Sequence, residues 1–130
     1  MKSSLKKYEP LFEGKIYFAN LNHEYGVYSR EFKRFFKYDF VSLPLKIAIE
    51  FHGDHYHGTP KLYRPFDKLK GRGQGAKTAA EAWHKDSIKE KAMLDERGFD
   101  LITVWEYDYR NDGEEVLKNV YEYIKRIRHI

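Results

Sequence analysis

Two carboxylates, Asp39 and Glu50, stand eleven residues apart in this 130-residue chain, on stretches whose patterns predict successive β-strands. The segment 42–45 between these stretches contains a proline, which favours a turn and an antiparallel pairing of the two strands. Such pairing brings both carboxylates to one face of the sheet, where they repel each other unless a cation lies between them. Mg²⁺, with Mn²⁺ as a substitute, suits oxygen ligands, so both residues are candidate metal ligands.

Three histidines, His52, His55 and His57, follow Glu50 within a short stretch. Imidazole is the side chain best able to pass protons near neutral pH. We therefore take His52 and His57 as candidate catalytic residues, and His55 as a residue of the loop surface. A zinc site that uses these three side chains, with His84 as a further ligand, is an alternative interpretation.

A predicted helix after this segment carries Asp86 and Lys89. Residues three positions apart share a helix face, so the two side chains can act together. Near a scissile phosphate they would position water or offset charge. Both are candidate catalytic residues.

The segment 53–75 contains five glycines and two prolines and predicts a long loop. A loop of this length in a small domain is often functional. Its basic end can follow the phosphates of a DNA backbone. The candidate DNA-binding residues there are Lys68, Lys70, Arg72 and Lys77.

The remaining pattern predicts one α/β domain over residues 1–130, with a mixed central β-sheet flanked by helices. On the clearest strand, Ile47, Ile49 and Phe51 should face one side, and Ala48, Glu50 and His52 the other. The predicted strands are 25–28, 32–41, 46–52 and 101–107, with a short extended piece at 15–19. The predicted helices are 4–13, 76–97 and 113–128, the last with a capping box at Asp112 and Glu115 and an apolar stripe at Val116, Val120, Ile124 and Ile127.

Composition excludes several other classes of protein. The chain has no cysteine, so disulfides, thiolate zinc sites and cysteine nucleophiles are ruled out, which fits a reducing cytoplasm. No apolar run is long enough to span a bilayer, and the basic start lacks the apolar region of a signal peptide. The net charge of +4 permits a nucleic-acid partner without demonstrating one.

Four segments, in the same order along the chain, resemble the very short patch repair endonucleases. They resemble still more closely the related phage homing endonucleases with an EDxHD signature. The resemblance extends over about residues 20–107. Its motifs are YDF at 38–40, KIAIEFHGDHYH at 46–57, WHKDSIK at 83–89 and GFDLITVWE at 98–106.

The resemblance implies a PD-(D/E)XK fold and metal-dependent hydrolysis of DNA. Asp39 resembles the family's metal-binding aspartate, and Glu50 matches the glutamate of its E-x-K pattern. His57 resembles the histidine proposed as general base or proton shuttle. Asp86 resembles the acidic residue on the helix after the sheet. The resemblance also implies a phage-encoded protein that acts in the cytoplasm of a bacterial host.

The chain departs from the family pattern at several positions. Tyr38 replaces the motif proline. His52 stands where the E-x-K pattern has lysine, so Lys89 or His57 would have to take over that role. The family's cysteine-containing zinc site is missing, which favours the homing-type comparison. The first glutamate of the family signature has three candidates here, Glu9, Glu13 and Glu24.

The sequence therefore predicts a Mg²⁺-dependent endodeoxyribonuclease that acts on double-stranded DNA and does not bind a membrane. A non-catalytic DNA-binding module on a nuclease fold is the main alternative. Whether the protein works as a monomer or as a homodimer stays open, as do its target sequence and the presence of a DNA-recognition module upstream.

Overall fold

The computed structural model describes residues 21–69 and 77–129, with side chains from residue 25 onward. Four strands and three helices form a mixed α/β architecture, which confirms the predicted fold class. The predicted helix over 4–13 and the extended piece at 15–19 lie outside the described residues. In chain order the elements are β1 (Leu21–Ser29), β2 (Arg34–Ser42), β3 (Ile47–His52), α1 (Asp54–His57), α2 (Ala79–Arg97), β4 (Asp100–Trp105) and α3 (Glu106–Arg128).

The strands form one sheet in the order β1-β2-β3-β4. The β1–β2 and β2–β3 pairs are antiparallel, as the proline-containing turn predicted for the second pair. The β3–β4 pair is parallel, and α2 lies in the connection between these two strands. A parallel pair needs a crossover of this kind, because its strands start at the same edge of the sheet.

Each face of the sheet has its own hydrophobic core. On one face Ile47, Ile49 and Phe51 of β3 pack with apolar residues of α3, among them Ile124. On the other face Ala48 belongs to a core that includes apolar residues of α2. The predicted two-sided arrangement of β3 is therefore confirmed, and all six of its residues are buried.

The boundaries of α2 follow local signals in the sequence. Thr78 caps the N-terminus in a capping box with Glu81, so the helix begins at Ala79, three residues later than the expected 76. Gly98 ends the helix in the left-handed conformation, with φ 69°. That position was predicted, since glycine adopts positive φ without strain.

Several boundary predictions were wrong, among them the end of the last strand, which lies at Trp105 rather than at 107. The predicted loop at 53–75 contains α1, a single helical turn. The last helix starts at Glu106 rather than at 113, and it is interrupted at Asp112, which has φ −160° and ψ 84°. The Asp112 side chain accepts a hydrogen bond from the Glu115 amide at 3.1 Å, so the expected cap marks the second of two merged helices.

The apolar stripe of α3 is close to the expected one. Val120 and Ile124 are buried in the core, and Val116 packs against its edge. Leu117, which the expected stripe left out, is also buried, whereas Ile127 is only partly buried. None of the helices within residues 21–69 and 77–129 is long and apolar enough to cross a membrane.

Replacing Ile124 with alanine should destabilise the protein by about 2–5 kcal/mol, because a fully buried side chain leaves a cavity when it is truncated. Urea denaturation measures this free energy of unfolding. The exposed neighbour Glu122 provides a matched control, since Glu122→Ala should change stability by no more than about 0.5 kcal/mol. Similar small effects of both substitutions would contradict the placement of α3 on the sheet.

Candidate active site

The ladder between β2 and β3 stops next to Asp39, where the last bridge joins Phe40 to Ile49. Beyond that bridge the Asp39 amide donates to Glu50 Oε1 at 2.9 Å. In return the Phe51 amide donates to Asp39 Oδ2 at 3.0 Å. The two carboxylates, here called the carboxylate pair, thus take the place of main-chain carbonyls. Such charge-assisted bonds fix each carboxylate against the main chain of the opposite strand.

The side-chain alternation of β2 is interrupted at the same place. Tyr38 and Val41 both belong to the core on the α2 face, whereas Phe40, between them, packs on the α3 face. Strict alternation would put Tyr38 and Phe40 on the same face. The irregular backbone therefore lies around Asp39, and it turns this residue toward Glu50.

Glu50 is 4% exposed, and burial raises the pKa of its carboxyl above the usual range. Lys89 opposes this shift of the Glu50 pKa, and Asp39 adds to it. Lys89 Nζ donates to Glu50 Oε2 at 3.0 Å. A second cation near the pair would further stabilise the ionised form of Glu50.

Lys89 is held above Tyr38, with its Nζ 5.0 Å from the centre of the ring. The Tyr38 hydroxyl donates to the Lys89 main-chain carbonyl at 2.6 Å. Tyr38 thus fixes one turn of α2 against the sheet. As a result, Lys89 contacts Glu50 from the helix.

His57 and Asp86 form a second pair, which joins α1 to α2. His57 Nδ1 lies 3.0 Å from Asp86 Oδ2 and 3.2 Å from Asp86 Oδ1. In this arrangement a neutral His57 carries its proton on Nδ1, and its Nε2 has a free lone pair for accepting a proton. His57 is 23% exposed along its side chain, so solvent reaches the pair.

His52 lies between the two pairs and is 5% exposed. Its ring stacks on His57 with centres 3.9 Å apart and planes 5° apart. One of its nitrogens, Nε2, is 3.9 Å from Glu50 Oε2, and the other, Nδ1, is 3.8 Å from Asp86 Oδ2. Burial lowers the pKa of His52 from its usual 6.5 to about 4, His57 lowers it further and Asp86 opposes the shift. His52 is therefore neutral at neutral pH.

The end of α1 is fixed against α2 by Gly58 and Trp83. Trp83 Nε1 donates to the Gly58 carbonyl at 2.6 Å. Gly58 has φ 69°, and a Cβ there would lie 2.7 Å from Leu69 Cδ2 and 3.1 Å from the Ala79 Cβ. Any other residue would be strained at this position, so the close approach that orients His57 depends on glycine.

The start of α1 is fixed against α3 by an exchange between Asp54 and Glu106. The Asp54 amide donates to Glu106 Oε1 at 3.2 Å, and the Tyr107 amide donates to Asp54 Oδ1 at 2.9 Å. Each carboxylate satisfies an amide that the first turn of the other helix leaves unpaired. The structure gives both a capping role.

The six candidate catalytic residues come together in this region, in the contacts given above. A cavity of about 250 Å³ opens beside four of them, and Asp39 and His57 are not part of its lining. Cavities of about 480 and 610 Å³ lie elsewhere. The cavity at the candidate active site is therefore distinguished by the ionisable residues that line it and not by its volume. It is lined by Glu50, His52, Pro60, Trp83, Asp86, Ser87, Lys89, Glu90, Leu101, Thr103 and Trp105.

Other candidates lie apart from this region or outside the described residues. His55 contacts the Tyr63 hydroxyl at 2.6 Å and His84 is exposed on α2, so neither belongs to the possible metal-binding group that His52 and His57 form with Asp86 among the described residues, and the alternative zinc site is not assembled as proposed. Lys68 and Lys77 are exposed, and the Leu69 amide donates to the Lys77 carbonyl at 3.0 Å. The remaining candidates, Lys70, Arg72, Glu9, Glu13 and the side chain of Glu24, fall outside the described residues.

No family model matches the chain, and searches of curated proteins and of solved structures give no match. The likeness to nucleases therefore remains a resemblance of four sequence motifs.

Replacing His52 with phenylalanine should flatten the loss of stability on acidification. Because the folded-state pKa of His52 is depressed, its share of stability is present above pH 6.5 and is lost as pH falls through about 4. The full share is on the order of 3 kcal/mol. Urea denaturation at pH values across this window measures the slope. The raised pKa of Glu50 changes stability with pH in the opposite direction. The slope of His52→Phe is therefore compared with that of the wild type, and neither slope is interpreted by itself.

The exposed His84 supplies the control, since His84→Gln should keep the wild-type dependence on pH. Equal slopes for the wild type and His52→Phe would show that His52 is not buried as a neutral ring.

Proposed function

We propose that this protein is a metal-dependent endodeoxyribonuclease that hydrolyses phosphodiester bonds in double-stranded DNA. The carboxylate pair at the separation of β2 and β3 is the observation that carries the proposal. Two acidic oxygen donors side by side, a lysine on one of them and a histidine–aspartate pair next to them are suited to hydrolysis of a phosphodiester.

The donor set fits a hard divalent cation. Asp39 and Glu50 would hold Mg²⁺, or Mn²⁺ in its place, because carboxylate oxygens are the ligands these ions prefer. Their charge-assisted bonds to amides leave further lone pairs on the oxygens. Burial raises the pKa of Glu50 even though Lys89 opposes the shift, and a bound cation would favour the ionised form further. When bound, the ion supplies Lewis-acid activation of water and of the phosphoryl oxygen.

The protein's own residues have distinct tasks in this proposal. His57 accepts a proton at Nε2 from the attacking water, while Asp86 holds the Nδ1 proton and orients the ring. Lys89 offsets negative charge that develops on the phosphate. His52 supports His57 by stacking and remains neutral, so that it does not repel a protonated His57.

Contacts to DNA are assigned to the basic segment that includes Lys68 and Lys77. Both side chains are exposed, and the cations at positions 70 and 72 lie between them in sequence. Lysine and arginine contacts to phosphates position a protein on the duplex without reading its sequence. A homing-type role, and with it a specific target, rests on the motif resemblance.

The decisive experiment is cleavage of supercoiled plasmid with Mg²⁺, Mn²⁺ or EDTA. Wild-type protein should nick or linearise the plasmid only with metal, and Asp39→Asn should reduce cleavage to background because it removes a metal-binding charge. Asp95→Asn is the matched control, since Asp95 is an exposed residue of α2 that pairs with Lys91. Linear product at low extents of reaction would indicate two cooperating active sites, as in a C2 dimer.

Absence of cleavage by folded wild-type protein would contradict the nuclease proposal for the isolated chain. Mn²⁺ binding, followed by electron paramagnetic resonance, then separates two cases. If the wild type binds Mn²⁺ and Asp39→Asn does not, the proposed metal site at Asp39 is supported. The absence of cleavage would then indicate a missing partner or recognition module. Equal weak binding by both proteins would favour the non-catalytic DNA-binding module.

Removal of the two exposed lysines should weaken DNA binding in a salt-dependent way. For the double substitution of Lys68 and Lys77 by glutamine, the slope of log binding constant against log salt should fall by about 2, since each phosphate contact contributes about 1. Fluorescence anisotropy with a labelled duplex measures the slope. Lys118→Gln, an exposed substitution on α3, should leave it unchanged. An unchanged slope in the double variant would exclude this segment from the DNA interface.

A further inference from the structure

His52, His57 and Asp86, here called the histidine–aspartate group, approach one another closely enough to share an ion. Each offers one ligand atom, and these atoms all lie within 4.8 Å of one another. Asp86 Oδ2 lies 3.0 Å from His57 Nδ1 and 3.8 Å from His52 Nδ1. Two imidazoles and a carboxylate are a donor set of borderline softness, which suits divalent transition metals better than Mg²⁺.

An independent observation also points to a ligand at this place. His52 Nδ1 is buried and has no hydrogen-bond partner among the described residues. A buried polar atom without a partner costs free energy, and such atoms in a folded protein usually mark a bound water, an ion or a functional group. This nitrogen faces Asp86, the residue that the other histidine also contacts.

We propose that His52, His57 and Asp86 form a binding site for a divalent transition-metal ion of the zinc type. This site is separate from the carboxylate pair that the proposed function assigns to Mg²⁺. Three protein ligands leave a fourth position for water, as in zinc sites that remain open to solvent.

The parallel rings of His52 and His57 determine how the ion would enter. A ligating nitrogen directs its lone pair within the plane of its ring, so two parallel stacked rings do not aim at one point. One ring must tilt when the ion binds. His57 is the ring that turns, because its side chain is 23% exposed on a single helical turn, whereas that of His52 is 6% exposed in a strand.

Zinc in this site would inhibit DNA cleavage, a consequence that rests on the proposed function. An ion on His57 Nδ1 displaces the hydrogen bond to Asp86 and leaves the proton of the neutral ring on Nε2. His57 then has no lone pair with which to accept a proton from water. The histidine–aspartate group would thus switch between proton transfer and metal binding.

The site is tested without DNA. Metal-free protein is titrated with Zn²⁺ by calorimetry, and with Co²⁺ as an absorbing substitute. Wild-type protein should bind one equivalent of either ion. Even an outer-shell partner typically contributes 10–100-fold to metal affinity, so His52→Phe and Asp86→Asn should each weaken Zn²⁺ binding by at least about tenfold. His84→Gln, which alters an exposed histidine two residues from Asp86, is the control and should bind as the wild type does.

Other outcomes would overturn the proposal. Wild-type binding that neither His52→Phe nor Asp86→Asn weakens would assign the ion to a place outside the histidine–aspartate group, such as the carboxylate pair, and equal weakening by His84→Gln would assign it to surface histidines. Failure of the wild type to bind a stoichiometric ion would exclude the site. Circular dichroism checks the fold of each variant. Should both variants unfold, the Co²⁺ spectrum of the wild type decides, since four- or five-coordinate bands support the site and a hexaaqua-type spectrum rejects it.

The outcome of the zinc titration can be distinguished from a failure of the proposed nuclease function. Zinc binding that depends on His52 and Asp86 would stand even if the protein cuts no DNA. Conversely, Mg²⁺-dependent cleavage by protein that binds no zinc would leave the nuclease proposal intact and remove only the second site.

Discussion

At Asp39 two carboxylates accept the amide hydrogen bonds that carbonyl groups accept in the rest of the β2–β3 ladder. This exchange explains why the strands can separate without leaving buried amides unpaired, which would be costly. It also explains why the acidic side chains are so well fixed, since each is held by the main chain opposite. The lysine of α2 and the histidines of β3 and α1 are arranged around that fixed pair.

The same arrangement buries two ionisable side chains, which burial alone disfavours in their charged forms. Glu50 and His52 are 4% and 5% exposed, and burial shifts both pKa values toward the neutral forms. An ion removed from water without full compensation typically costs several kcal/mol. The two apolar cores on either face of the sheet offset this cost. Their central residues, such as Ile49 and Ala48, are neighbours of Glu50 on the same strand.

The sequence was informative wherever structure depends on local patterns. Alternation predicted the two faces of β3, and Gly98 predicted the end of α2, because both effects arise within a few residues. The separation of strands at Asp39 was not visible, since it depends on contacts between strands. The Trp83–Gly58 hydrogen bond and the Asp54–Glu106 exchange connect residues 25 and 52 positions apart. Contacts between residues so far apart cannot be predicted from local sequence patterns. The start of α3 was predicted too late because the capping box at Asp112 was taken as the beginning of the whole helix, although helical turns precede it.

Lys89 places a positive charge next to Glu50 although it lies on a different element, 39 residues further along the chain. In the motif resemblance His52 stands where the nuclease family has a lysine, and its buried ring could not carry a positive charge at neutral pH. An ammonium is nevertheless held 3.0 Å from Glu50, supplied by the neighbouring helix and oriented by the Tyr38 ring. Coulombic stabilisation depends on the distance between charges and on their surroundings, and it does not depend on which element carries the side chain. With the cation supplied by α2, the position two residues after Glu50 is free to carry a neutral ring that stacks on His57.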